Sequence, residues 1–183
     1  YLKCWQAIIS TNPKIPFWYL LGFATSSISI FSDASGTNDI DGWLVHNNVC
    51  FYWSTTYKNI RLNFSIPNSL SKGTSSSTIP FKELLTVAIN MLTFKDKISS
   101  DKLVRLHVFS DNIGIIFNMK KSRFKKDYLS NSLLLYIMFT AFTNNILISP
   151  LHIPRENNVL ADLLSKTNSM TSLLLLFMNY PYM

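Results

Sequence analysis

Two stretches of this chain close on the same three residues. "SISIFSDAS" (27–35) and "KLVRLHVFSDN" (102–112) each run from apolar, β-branched or aromatic residues into Phe-Ser-Asp. Both read as strands. A carboxylate ending a buried strand is costly unless something compensates its charge. A chain that does this twice is therefore constrained in how it folds. If the two strands are neighbours, Asp33 and Asp111 stand together at one edge of a sheet. That edge lies near the carboxyl ends of strands, where open sheets with parallel strands tend to bind ligands.

The remaining elements follow from periodicity and punctuation. "DGWLVHNNVCFYWSTTY" carries Asp-Gly at 41–42 and then β-branched and aromatic residues around Asn47-Asn48, a hairpin signal. "IRLNFSI" (60–66) alternates apolar and polar residues and reads as a further strand, followed by a Ser- and Gly-rich loop over 67–78. Beyond it Phe81, Leu84, Leu85, Ala88, Ile89 and Leu92 recur at helical spacing, with Ser77 or Thr78 as cap and Pro80 in the first turn. Glu83 lies beside that stripe instead of on the opposite, solvent face. A helix from Ile113 to about Met119, the basic run "KKSRFKK" (120–126), a helix from about Asp127 to Phe142 and a strand over 145–154 come next. "NNVLADLLSK" (157–166) reads as a last short helix. Strands followed by helices in this order predict an α/β chain, a mixed sheet with helices packed on its faces.

The chain has 183 residues, enough for one domain with a proper core, expected over 28–166. Residues 1–27 read as a connecting segment and 167–183 as a C-terminal tail. The excess of 17 Lys and Arg over 10 Asp and Glu makes a polyanion a plausible partner. Cys4 and Cys50 are too few for a disulfide scaffold or a zinc site, so a reduced intracellular setting is expected, cytoplasm and nucleus not being distinguished. The apolar stretches at 133–142 and 173–178 are too short to span a bilayer, and no membrane partner is expected. Because it begins with Tyr1, the chain reads as a piece of a longer polypeptide.

Taken singly, Asp33, Glu83, Asp111 and Asp162 each have an ordinary reading as turn or helix-end residues. Their joint order says more. Four carboxylates brought together repel and raise each other's pKa values. Hard divalent cations remove that cost, since magnesium favours carboxylate oxygens with water completing its shell. Two such ions can activate a water and stabilise the leaving oxygen of a phosphodiester.

"FSDAS", "FKELL", "FSDN" and "LHIPRENNVLADLLSK" resemble, in that order, the motifs of the type 1 ribonuclease H domain. The likeness is closest to the version in polyproteins of tyrosine-recombinase and long-terminal-repeat retrotransposons, and it covers roughly residues 28–166. It implies a ribonuclease H-like mixed five-stranded sheet with helices on both faces. It also implies a metal-dependent endonuclease that cuts the RNA strand of an RNA–DNA hybrid, next to a reverse transcriptase domain of the same polyprotein. Asp33, Glu83, Asp111 and Asp162 match the family's metal-binding acids, which hold two magnesium ions, with manganese as a substitute. His152 matches a histidine that assists turnover, and Asn112 and Asn158 match polar positions near the hybrid backbone. Lys120, Lys121 and Arg123 of the basic run stand in part for the basic handle of some members, with Phe124 interleaved among the charges. The alternative reading is a catalytically weak or inactive module of the same fold that binds nucleic acid or supports an adjoining polymerase. An integrase or a proofreading exonuclease of the same superfamily is disfavoured by the helical Glu83 between the first and second Asp.

Overall fold

The computed structural model describes residues 24, 26–34, 39–46, 49–56, 79–99, 102–124 and 127–158. Five strands form one sheet in the order β3-β2-β1-β4-β5. They are β1 (Ser26–Ala34), β2 (Asp39–His46), β3 (Val49–Thr56), β4 (Val104–Ser110) and β5 (Ile146–His152). β1, β2 and β3 pair antiparallel, whereas β1–β4 and β4–β5 pair parallel. This is the mixed five-stranded sheet that the resemblance implies. The strand expected at 60–66 lies outside the described residues. β1 begins at Ser26, and residues 1–23 of the expected connecting segment lie outside the described residues.

β2 and β3 pair as antiparallel neighbours, with His46 facing Val49 at the end of the ladder. Asp41-Gly42, in contrast, lies inside β2, with Asp41 fully buried. Pro150 sits within β5, which is tolerated because β5 is an edge strand.

α1 (Ile79–Thr93) packs against β1, β2 and a later helix, α4 (Tyr128–Thr143). A four-residue α2 (Lys95–Ile98) follows α1, and α3 (Ile113–Lys120) follows β4. Ile28 and Ile30 of β1, Ile40 and Leu44 of β2, and Val104, Leu106 and Val108 of β4 meet these helices in one continuous core. Each fully buried aliphatic side chain there contributes about 1.5–3 kcal/mol relative to exposure. The described helices thus cover one face of the sheet. On the other face Phe31 stacks on Trp43 at 3.9 Å and on Phe109 at 4.7 Å between ring centroids. The last helix expected over 157–166 lies, beyond Asn158, outside the described residues.

α1 departs from its expected stripe. Leu92 is 50% exposed, while Val87 and Met91 are buried. A single stripe assumes one packing partner, whereas α1 packs against both the sheet and α4. Buried Lys82, Glu83, Thr86 and Asn90 belong to the same nearly enclosed helix.

Candidate metal centre

The two Phe-Ser-Asp endings come together through the parallel ladder between β1 and β4. Its last registered pair is Phe31 with Phe109. Asp33 and Asp111 each stand two residues further on, so the repeat in sequence becomes alignment in space. The serines between them hold the ends in place. Ser32 Oγ donates to the Phe109 carbonyl at 3.2 Å, and Ser110 Oγ donates to Glu83 Oε2 at 3.3 Å.

Glu83 comes from the first turns of α1, one of the elements laid across β1. Its other oxygen, Oε1, accepts the Ala34 N–H at 3.3 Å. Asp33, Glu83 and Asp111 each offer an oxygen, and all three oxygens lie within 4.8 Å of one another. Glu83 is 2% exposed and Asp33 9%. Burial pushes the Glu83 carboxyl well above its ordinary range, the charges of Asp33 and Asp111 push it further, and the Ala34 and Ser110 hydrogen bonds pull partly back.

This donor set fits a hard divalent cation. It is all oxygen and all carboxylate, and one member is buried where its charge is costly without a compensating ion. Asp41 adds a carboxylate nearby, because it faces Asp33 across the β1–β2 ladder.

His152 closes β5 opposite Ser110. Its Nε2 lies 3.2 Å from the Asp111 main-chain oxygen, to which it donates in the Nε2–H tautomer. Asn112 caps α3, its Oδ1 accepting from the Gly114 and Ile115 N–H groups. Asn158 is buried, and its Nδ2 donates to the Ser32 carbonyl at 3.4 Å, next to Asp33 in the chain. Asp162 lies outside the described residues.

Lys120, Lys121 and Arg123 are exposed around the C-terminal end of α3, about 12 Å of helix away from Asp111. Lys121 Nζ sits 4.0 Å over the Phe117 ring. Phe124 does not share their exposure: it is buried in the core. Asn131 clamps it, accepting from the Phe124 N–H and donating to the Phe124 carbonyl, both at 2.7 Å. The interleaved aromatic is an anchor for the basic loop, not a stacking platform.

Sequence reasoning missed Ser32 and Ser110. The repeat itself was the available signal, because the residue before each aspartate is also the same.

No family model and no curated protein matches the chain. Among solved structures it is similar to a ribonuclease H1 isolated from compost by a metagenomic approach. That likeness has a TM-score of 0.45 and 19% sequence identity, over 80% of this chain and 98% of the other. Among the described residues no helix is long and apolar enough to cross a membrane. The fold rests on the observed strand order and register.

Proposed function

We propose that this chain is a ribonuclease H-like endonuclease that hydrolyses the RNA strand of RNA–DNA hybrids with divalent cations, as part of a retroelement reverse transcriptase polyprotein. The observation that carries the reading is the meeting of Asp33, Glu83 and Asp111 at the carboxyl ends of two adjacent parallel strands. The polyprotein context is supported by the motif resemblance alone.

In this reading Asp33, Glu83 and Asp111 hold magnesium, and Asp162 completes the ligand set for two ions. Bound there, the ions supply Lewis-acid charge that makes water a better nucleophile and stabilises the departing oxygen. Glu83 helps to orient the attacking water, its carboxylate fixed by the Ala34 N–H and the Ser110 hydroxyl. His152 stands on the neighbouring strand end and assists product release. Asn112 lies along the backbone path, buried Asn158 steadies the Ser32 carbonyl beside Asp33 instead of meeting the hybrid, and Lys120, Lys121 and Arg123 meet phosphates further along. Preference for a hybrid over duplex DNA comes from 2′-hydroxyl contacts and groove shape.

The test is cleavage of a hybrid labelled separately on each strand, with magnesium and with a chelator. Wild-type protein is expected to cut only the RNA strand and only with metal. Asp111→Asn is expected to lose at least a hundredfold in rate while melting like the wild type. Equal cleavage by purified Asp111→Asn protein refutes the assignment. Wild-type protein that binds the hybrid and leaves it intact favours the inactive module instead.

A further inference from the structure

Asn90 lies seven residues after Glu83 on α1 and is fully buried. Its Nδ2 donates to the Phe31 carbonyl of β1 at 2.9 Å, and its Oδ1 accepts from Trp53 Nε1 of β3 at 2.6 Å. Gly42 of β2, the cross-strand partner of Trp53, supplies the seat: a Cβ there would overlap the Asn90 amide. One helical side chain is thus keyed into three strands.

Hydrogen bonds at both ends of this span tie α1 to β1, Glu83 to the Ala34 N–H and Asn90 to the Phe31 carbonyl. Seven helical residues rise about 10.5 Å, and three strand residues span about 10 Å. The separations match, and their order is reversed, as a helix running against the strand requires. Seven residues are also close to two full turns, so both side chains leave the same face of α1.

Resting on the metal-dependent reading above, we infer that Asn90 is a positioning residue that fixes how far α1 slides along the sheet and so brings Glu83 to Asp33 and Asp111. The apolar surface of α1 cannot do this alone. Phe81, Leu84, Leu85, Val87, Ala88 and Met91 bury it almost all round, and a non-directional hydrophobic contact discriminates poorly between slid positions. A buried amide with two specific partners does discriminate, because any slip leaves buried polar groups unsatisfied. A single buried Asn sets register in coiled coils by the same logic.

The experiment compares manganese binding by calorimetry, together with kcat and KM on a hybrid, in wild type, Asn90→Leu, Trp53→Phe and Leu133→Ala. Leu133→Ala is a core truncation on α4 that matches the loss of stability without touching the latch. Asn90→Leu is expected to weaken manganese binding about tenfold or more and to lower kcat, with KM for the hybrid within twofold of wild type. Trp53→Phe keeps a ring but removes the donor to Asn90. It is expected to weaken manganese binding at least threefold, and it decides the question should Asn90→Leu fail to fold. Leu133→Ala is expected to bind manganese as the wild type does. Wild-type protein that binds no manganese overturns the metal centre itself. Wild-type affinity in the folded latch variants, or an equal loss in Leu133→Ala, overturns the positioning role alone.

Discussion

Replacing Glu83 by Gln separates the stability of this site from its use. The substitution keeps the shape and lets Oε1 still accept the Ala34 N–H, while the new amide can donate to Ser110 Oγ. What changes is the charge. The three carboxylate oxygens lie within 4.8 Å, and two unit charges at that distance repel by about 3 kcal/mol at an effective dielectric of about 20. Asp111 is only half-buried, which screens part of the repulsion, so about 2 kcal/mol is the expected gain in metal-free protein once Glu83 is ionised. That corresponds to a rise of about 4–8 °C in Tm for a chain of this size.

The size of the gain depends on pH. Below the ordinary glutamate pKa of about 4.3, folded and unfolded chains both hold the proton, and variant and wild type are nearly equal. As pH rises, the unfolded chain releases its proton first, because folding raises the Glu83 pKa. Wild type then loses stability until the raised folded value is passed, and the gap levels off. The assay is thermal or urea unfolding of both proteins in chelator from about pH 4 to about pH 9, repeated with manganese. Manganese is expected to stabilise the wild type more than the variant, and the variant should cut no hybrid. Parallel stability profiles across the pH range, or a variant less stable than wild type at pH 8 in chelator, refute the reasoning.

Other expected outcomes are more local. Ser122 occupies the left-handed region at φ 53°, exposed, in a helix-ending motif with its N–H bonded to the Met119 carbonyl and that of Arg123 to the Asn118 carbonyl. Ser122→Gly should therefore stabilise by about 1 kcal/mol in urea unfolding, since only the backbone preference changes. Asn131→Ala removes the clamp on Phe124 and should cost about 2–3 kcal/mol in the same assay. Replacing Lys120, Lys121 and Arg123 together by Gln should weaken hybrid binding and flatten its salt dependence by up to about 0.9 log unit per lost phosphate contact. An unchanged salt slope would remove those residues from the interface.

Asp33 and Asp111 were legible in the sequence because a repeated Phe-Ser-Asp at two strand ends is both a local and a long-range signal: the register only had to pair the two phenylalanines. Glu83 was legible from its place beside the apolar positions of α1. What stayed hidden depends on tertiary partners that periodicity does not encode. Leu92 looked like core because a helical stripe assumes one partner surface. Phe124 looked like part of a basic interface because its clamp, Asn131, belongs to the following helix. The Asp41-Gly42 pair contributed to a hairpin signal, yet it lies inside β2. Gly42 is instead explained by the close approach of Asn90, and no local rule says which helix residue will land there. Asn90 itself, a moderate helix former in an otherwise apolar run, would be taken for a solvent-facing residue.

These hidden residues bear on how an acidic site can exist at all. Three carboxylates drawn together oppose folding, so something that does not depend on the cation must hold their elements in place. Neutral groups take part in that frame: the stack of Trp43, Phe31 and Phe109, the serines Ser32 and Ser110, and the Asn90 amide between three strands. None of them carries charge. The repulsion is therefore met at side-chain tips near the strand ends, where it adds to burial in raising the Glu83 pKa. A cation bound there would meet ligands already gathered, so its binding free energy would go into relieving repulsion and not into ordering the chain.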